Sequence, residues 1–241
     1  MKNDDVFFSL VILCYRAEES ILPFVKRVHS IMSLYNFNWE IVLVANYLPN
    51  STDKTPSIVK KLSDEYPHIR CVSEEKQGMM GWDLRKGLHS TRGQYIAMID
   101  GDGQFPVESI FACFARMLMD DVDLVKTFRV FRYDGFYRTV ISRGYNLIFR
   151  ILFGKHFKDV NSKPKIIKRS AYEQLDLKSA DWFIDAEIMI RAKELKLKVA
   201  EIPILFYAQE GRSSFIKWSA ILEFTKNLHF AFKKHRLANK D

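Results

Sequence analysis

An α/β fold with a mostly parallel, Rossmann-like central sheet flanked by helices is what this sequence predicts, and three observations predict it. Short apolar runs rich in Val, Ile and Leu recur along the chain: Phe7–Tyr15, Trp39–Ala45, Ile69–Ser73 and Tyr95–Ile99. Such continuous runs suit strands buried on both faces. The segments between them carry helical apolar spacing, and strands alternating with helices imply parallel βαβ units. The run at Tyr95–Ile99 ends in an acidic turn, Asp100-Gly101-Asp102-Gly103-Gln104. Carboxyl ends of strands are where open α/β sheets bind ligands.

Each element has its own reason. Phe7–Tyr15 is the first strand, and Glu18–Leu34 is a helix with Ile21, Phe24, Val25, Val28, Ile31 and Met32 on one face. After the strand Trp39–Ala45 and the polar loop Asn46–Asp53, a helix opens with Thr55 as cap and Pro56 in its first turn. Ile69–Ser73 is a short third strand, and the Gly-punctuated stretch 78–93 carries a helix. Pro106 suits the first turn of a helix running from Glu108 to about Met119. Asp123–Phe128 is a strand, Phe136–Phe153 a helix bearing Arg138, Arg143 and Arg150, and Lys163–Lys168 a strand. Ile184–Leu195 is a helix. Val199–Phe206 is a strand with Pro203 inside it, which places it at a sheet edge. Phe215–Arg236 mixes Phe215, Trp218, Ile221 and Leu222 with Lys217, Lys226, Lys233 and Lys234. It reads as an amphipathic helix, either at an anionic lipid interface or packed on the domain with a solvated basic end.

At 241 residues the chain is long enough for one α/β domain with a sizeable core, or for two small ones. A hydrophobic share of 48% excludes a disordered chain. The formal charge of +8 favours an anionic partner: a nucleotide phosphate, a nucleic acid or an anionic membrane. The basic residues are dispersed and carry no nucleic-acid motif, so nucleic acid is not expected as a partner. Cys14, Cys71 and Cys113 are odd in number and far apart, which suits a reducing compartment. The apolar run Val6–Cys14 follows Asp4 and Asp5 and is too short for a secretory leader. No stretch reaches the roughly 18 apolar residues of a membrane span, so a soluble or peripheral chain is expected.

The acidic turn has two readings. Asp and Gly dominate polar turns in general. Alternatively, Asp100 and Asp102 are hard oxygen ligands for Mg²⁺ or Mn²⁺, which commonly arrive with substrate phosphates. A helix–loop–helix calcium site does not fit, because Phe105 and Phe111 stand where that loop needs Gly and Glu.

Four segments together resemble glycosyltransferase family 2, especially its dolichyl- or polyprenyl-phosphate mannosyltransferase branch. They are SLVILCYRAEESI (Ser9–Ile21), NSTDKT (Asn50–Thr55), IDGDGQFPVE (Ile99–Glu108), and the later series RTVISRGYNLIFRILFG, NSKPKIIKR and FIDAEIMIRAKELKLKVAEIPI. The resemblance spans residues 7–215. It implies a GT-A fold in a single domain over residues 1–212, with a nucleotide-sugar half over about 1–104, an acceptor half over about 105–212, and the basic helix at 213–241. It also implies a nucleotide-sugar donor, GDP- or UDP-linked, and inversion at the anomeric carbon.

On that resemblance Asp100, Asp102 and Gln104 would hold the divalent cation. Tyr15, Glu18, Asn46, Asp53, Asp100 and Arg132 would line the donor site. Arg138 and Arg143, with Arg129, would meet donor or acceptor phosphates, since guanidinium binds phosphate in bidentate fashion. Asp185 stands where a general base would act on an acceptor hydroxyl. A phosphate acceptor is already anionic, and Asp185 would then only position it; Asp181 and Glu187 are the fallback bases. The sequence departs from the family pattern at Leu13, Arg16, Ala17 and Ala45-Asn46, and Gly211–Ser214 lacks the Lys of the family's closing motif.

The expected activity is therefore an inverting, metal-dependent transfer to a polyprenyl phosphate at the cytoplasmic membrane face, with peripheral membrane contact. The alternative acceptor is a saccharide or lipid-linked glycan hydroxyl. A nucleotidyltransferase would need a Gly-rich phosphate loop, and Tyr15–Ser20 has no Gly. A non-catalytic domain of the same fold is the remaining reading, against which the retained DGDGQ turn argues.

Overall fold

The computed structural model describes residues 5–154 and 157–208. The expected C-terminal helix and the Gly211–Ser214 motif lie outside the described residues. The first half alternates as expected: β1 (Phe8–Leu13), α1 (Ile21–Met32, preceded by a 3₁₀ turn at Glu18–Ser20), β2 (Trp39–Val44), α2 (Thr55–Glu65), β3 (Ile69–Val72), α3 (Met80–His89) and β4 (Tyr95–Asp100). The second half follows with α4 (Glu108–Asp120), β5 (Leu124–Arg132), α5 (Phe136–Phe153), β6 (Lys165–Lys168), α6 (Arg169–Leu175), α7 (Ile184–Glu194) and β7 (Val199–Phe206).

These strands form one sheet in the order β3-β2-β1-β4-β6-β5-β7. β1 lies parallel to both β2 and β4, in register from Phe8 opposite Trp39 and Tyr95 to Leu13 opposite Val44 and Asp100. The chain goes outward from β1 through β2 and β3, then returns to add β4 on the other side. That reversal leaves a crevice above the carboxyl ends of β1 and β4, where such sheets take ligands. β6 is antiparallel to both of its neighbours, β4 and β5, while β5 and β7 are parallel. β7 is an edge strand, as Pro203 required.

Alternation along the strands sorts the helices into two layers. Phe8, Leu10 and Ile12 of β1, with Ile41, Leu43, Ala97 and Ile99, meet Phe24, Val28, Val59, Ile110 and Phe114 of α1, α2 and α4. Val11, Val42, Val44 and Met98 face the other way, onto Leu84, Leu88, Phe149, Ile184 and Ile188 of α3, α5 and α7. Full burial contributes about 1.5–3 kcal/mol for each large aliphatic side chain, so the two layers supply the driving force for the fold. Cys14 and Cys113 are buried members of the first layer.

Three local expectations are corrected. The helix α6 was unforeseen, its seven residues being too short to show a helical period. β5 runs on to Arg132, beyond the expected end at Phe128, because β7 pairs with it along that length. Thr55 is not the cap of α2 but its buried first residue. The Asp53 carboxylate accepts the Thr55 N–H at 2.9 Å and its hydroxyl at 2.5 Å, and Thr55 Oγ1 accepts the Glu18 N–H at 2.8 Å.

One polar cluster closes the sheet at the amino ends of β1 and β2, opposite the crevice. Glu40 is 1% exposed and accepts from Ser9 Oγ at 2.7 Å, the Arg92 N–H at 2.7 Å and Arg70 Nη1 at 3.2 Å. Burial alone would raise its pKa, but these donors hold the carboxyl below its ordinary range. A depressed carboxylate contributes stability that is complete above the ordinary range and lost as the pH falls through the lowered value. Glu40→Gln should therefore lower unfolding stability at neutral pH by about 2 kcal/mol, and the two stability curves should converge in acid. Urea denaturation across pH checks this; a gap that persists undiminished below pH 3 would count against it.

Candidate active site

The acidic turn continues β4 directly. Gly101 N–H donates to Leu13 O at 2.9 Å, extending the β1 ladder by one bond. A Cβ on Gly101 would stand 2.6 Å from Ile21 Cδ1, 2.9 Å from Ile12 Cγ2 and 3.1 Å from Leu13 O, so only glycine lets the turn lie this close to β1. Gly103 has φ +74° and open space around it, so there the requirement is conformational. Between them Asp102 Oδ1 accepts the Gln104 N–H at 3.0 Å. Gln104 is buried; its Nε2 donates to Tyr207 O at 3.0 Å, and its backbone carbonyl accepts the Tyr207 N–H at 2.9 Å. The turn is thus tied to β1 on one side and to the end of β7 on the other.

Beneath the turn lies an ionic network built from β6, the residues just before it and α7. Lys163 Nζ is 3.2 Å from each oxygen of Asp100 and 3.0 Å from Asp185 Oδ2. Lys165 Nζ is 2.5 Å from Asp185 Oδ1 and donates to Ser162 O at 2.9 Å. All but Asp100 are almost fully buried. Burial pushes Lys165 down to about 8, aided by Lys163 beside it. Burial would raise Asp185, yet the two ammonium groups hold it below its ordinary range. Lys163 and Lys165 are the residues that sequence reasoning missed. Only Lys165 lies in β6, which is shorter than the expected strand Lys163–Lys168; Lys163 precedes it across a cis bond to Pro164, so strand alternation could not have paired the two lysines.

The arginines divide. Arg129, with 9% of its side chain exposed, is bidentate on Asp159, at 2.6 and 2.8 Å. Arg132 is bidentate on Asp134, at 3.0 and 2.6 Å. Arg138 shares Asp134 at 3.1 Å, feels the Asp102 charge, and keeps a buried Nε without a hydrogen-bond partner. Arg143 is exposed on α5. The structure therefore brings Arg138 toward the acidic turn and spends Arg129 and Arg132 on carboxylates.

On the donor side, Asn46 is 1% exposed and both its amide atoms are used. Nδ2 donates to Asp83 Oδ1 at 2.9 Å, and Oδ1 accepts the Glu74 N–H at 2.8 Å. Asp83 pairs with Lys76, whose ammonium lies 4.3 Å from the Tyr15 ring centroid. Glu18 is exposed at the start of its 3₁₀ turn, and Asp53 Oδ2 is buried without a hydrogen-bond partner. Of the fallback carboxylates, Asp181 accepts the Phe183 N–H at 2.9 Å, and Glu187 accepts the N–H groups of Lys178 and Ser179.

Among the described residues no group of three or more His, Cys, Asp or Glu stands ready for a metal. Two carboxylates at a strand end are nonetheless what Mg²⁺ or Mn²⁺ needs when substrate phosphates supply the remaining oxygens. The close seat of Gly101 against β1 leaves both carboxylates at the crevice, and their chemistry fits a hard divalent ion.

Comparison with known proteins gives the same direction. The model of glycosyl transferase family 2 matches residues 9–176. A dodecaprenyl-phosphate galacturonate synthase of Rhizobium johnstonii is 29% identical over 171 residues, covering 70% of this chain and 50% of that protein. The dolichyl-phosphate beta-glucosyltransferase of Saccharomyces cerevisiae is 25% identical, over 87% of this chain and 69% of its own length. The chain thus spans from half to about seven-tenths of these relatives. Among solved structures, glucosyl-3-phosphoglycerate synthase of Mycobacterium tuberculosis with UDP superposes at a TM-score of 0.69, with 17% identity, over 96% of this chain and 82% of that one. Mannosyl-3-phosphoglycerate synthase of Rubrobacter xylanophilus superposes at 0.70, with 13% identity, over 95% and 74%. These likenesses establish a GT-A-type fold.

The two glycines separate packing from conformation. Gly101→Ala should abolish Mn²⁺-dependent nucleotide binding, because the turn must lift off β1. Gly103→Ala should cost about 1–2 kcal/mol of stability and leave much of that binding intact. Calorimetric titration with UDP and GDP checks the contrast, and equal effects from both substitutions would refute it.

Proposed function

The chain belongs to glycosyl transferase family 2, and on that premise we propose that it is an inverting, metal-dependent transferase moving a sugar from a nucleotide-sugar donor to a polyprenyl phosphate. The observation that carries this reading is the DGDGQ turn at the crevice between β1 and β4, with both carboxylates at its rim and cationic groups around it. Asp100 and Asp102, with Gln104 as a further oxygen donor, would hold Mg²⁺ or Mn²⁺. The ion supplies charge neutralisation to the leaving nucleoside diphosphate. Divalent metal with UDP is present in solved neighbours of this fold; here the donor is UDP- or GDP-linked.

In the reaction an acceptor phosphate oxygen attacks the anomeric carbon from the face opposite the diphosphate. The bond from that carbon to the β-phosphate oxygen breaks, its electron pair stays on the diphosphate, and the configuration inverts. No proton has to leave the acceptor, so no general base is required. Asp185 fits this economy: a carboxylate 2% exposed and shared by two lysines is a positioning group. Arg138, with its unused buried Nε, is the arginine best placed to receive a phosphate; Arg132 and Arg143 are secondary. Tyr15, Asn46 and Asp53 would frame the nucleoside, with Glu18 at its rim. The polyprenyl-phosphate relatives support the acceptor class. A glycan hydroxyl would need a base, and among the candidates Glu187 is spent on backbone N–H groups.

The test is transfer of radiolabelled sugar from UDP- and GDP-sugars, with Mn²⁺, to a polyprenyl phosphate in detergent. Label should appear in the organic extract, and Asp102→Ala should lower the rate by at least a hundredfold. Label appearing only on saccharide acceptors would overturn the acceptor, and metal-independent transfer would overturn the site.

Work at a lipid surface, which we assign to the cytoplasmic face, is supported by α5. Phe136, Tyr137, Val140, Leu147, Ile148 and Ile151 are exposed along it, with Arg143 also exposed. An apolar stripe with arginine beside it suits an anionic bilayer. Among the described residues no helix is long and apolar enough to cross a membrane, so contact would be peripheral. Leu147→Asp with Ile151→Asp should reduce sedimentation with phosphatidylglycerol vesicles at least fivefold without moving the thermal midpoint; unchanged sedimentation would exclude this face.

A further inference from the structure

Lys163 stands where a cation is wanted, and it is a cation that cannot leave. Its ammonium faces both Asp100 oxygens at 3.2 Å, is anchored from behind by Asp185 at 3.0 Å, and touches Met80 Sδ at 3.5 Å. Its side chain is 2% exposed, and Asp185 is itself fixed by Lys165. Asp100, by contrast, keeps 26% of its side chain exposed toward the crevice. Two lysines therefore balance two carboxylates in the nucleotide-free chain, and Asp100 is already neutralised before any metal arrives.

We propose that Lys163 is a positioning residue that orients Asp100 while suppressing its affinity for a free divalent cation, so that metal is taken up together with the donor's diphosphate. The inference rests on the reading of Asp100 and Asp102 as metal ligands. A divalent ion held by Asp100 would share that carboxylate with the ammonium 3.2 Å from its oxygens, and like charges on one carboxylate repel strongly in a partly buried site. A nucleoside diphosphate supplies the missing negative charge and oxygen ligands. It satisfies the ion directly and offsets the fixed ammonium beneath it. Metal and nucleotide then bind with strong mutual dependence, each raising the other's affinity by the same factor. The same coupling would make the metal leave with the product diphosphate.

The experiment titrates Mn²⁺ into the chain, following free Mn²⁺ by electron paramagnetic resonance, with and without UDP or GDP. The wild-type chain should bind Mn²⁺ at least tenfold more tightly with nucleotide. Lys163→Gln and Lys163→Met should tighten nucleotide-free Mn²⁺ binding at least tenfold, and Lys163→Arg should restore the wild-type weakness. A merely structural lysine would not raise metal affinity when removed. Neutral variants with unchanged or weaker Mn²⁺ binding, and native circular dichroism, would overturn the inference. So would a wild-type chain that binds Mn²⁺ equally well with and without nucleotide, a result that needs no variant to fold. Failure of the wild-type chain to bind Mn²⁺ even with nucleotide would instead remove the metal reading on which the inference stands.

Discussion

Two ammonium groups share one buried carboxylate beneath the end of β4, and the position of the acidic turn depends on that arrangement. Taking Lys163, Lys165 and Asp185 out of water is costly, and their attraction offsets the cost only if the geometry is close and every group is paired. Removing one partner from such a network typically costs about 3–5 kcal/mol, whereas well-packed apolar residues in all the positions could be equally stable. The network is thus a device for specifying position. It couples β6 and α7 to Asp100, and through the turn it couples them to β1 and β7. Lys165 and Ile167 face α7 while Ile166 faces α1, α2 and α4, so a one-residue slip of β6 would carry the lysine into the wrong layer.

Much of the fold was legible because its signals were long and periodic. The first four strands lay within a residue or two of the apolar runs, and α5 spanned Phe136–Phe153 as its pattern required. The DGDGQ turn was legible as a candidate because two carboxylates one residue apart at a strand end have few structural uses. What escaped was whatever depended on partners distant in sequence. Lysine in or beside a short strand reads as solvent-facing, and Lys163 and Lys165 become buriable only when Asp100 from β4 and Asp185 from α7 arrive beside them. The direction of β6 escaped for a similar reason: four residues carry no indication of which neighbours they will lie between. Asn46 looked free to meet a nucleotide base, yet Asp83, 37 positions later, had to be placed before its commitments could be seen.

That last case bears on how the donor would be chosen. Tyr15, Lys76, Asp83, Asn46 and the Glu74 N–H form a continuous chain across the ends of β1, β2 and α3. An amide fully occupied on both atoms is a spacer, fixing Asp83 and the segment after β3 in relation to each other. Selection of the base then falls to whatever surface that chain presents as a unit. Changing one member should shift the others, so single substitutions there are poor guides to individual roles.

The strand that joins the two sides of the sheet is made after both of its neighbours. β4 and β5 leave the ribosome with a gap between them, and β6, which begins 33 residues after β5 ends (Arg132 to Lys165), must enter that gap with its direction opposed to both. Until it does, the growing polypeptide carries two unpaired inner edges, each apolar and each able to template the wrong partner. A nascent chain stalled or cleaved before Lys165 would therefore hold the four strands β3-β2-β1-β4 with a sticky margin, and β5 with no strand beside it. The insertion that assembles the chemistry also sets the period during which the protein most needs protection from its neighbours.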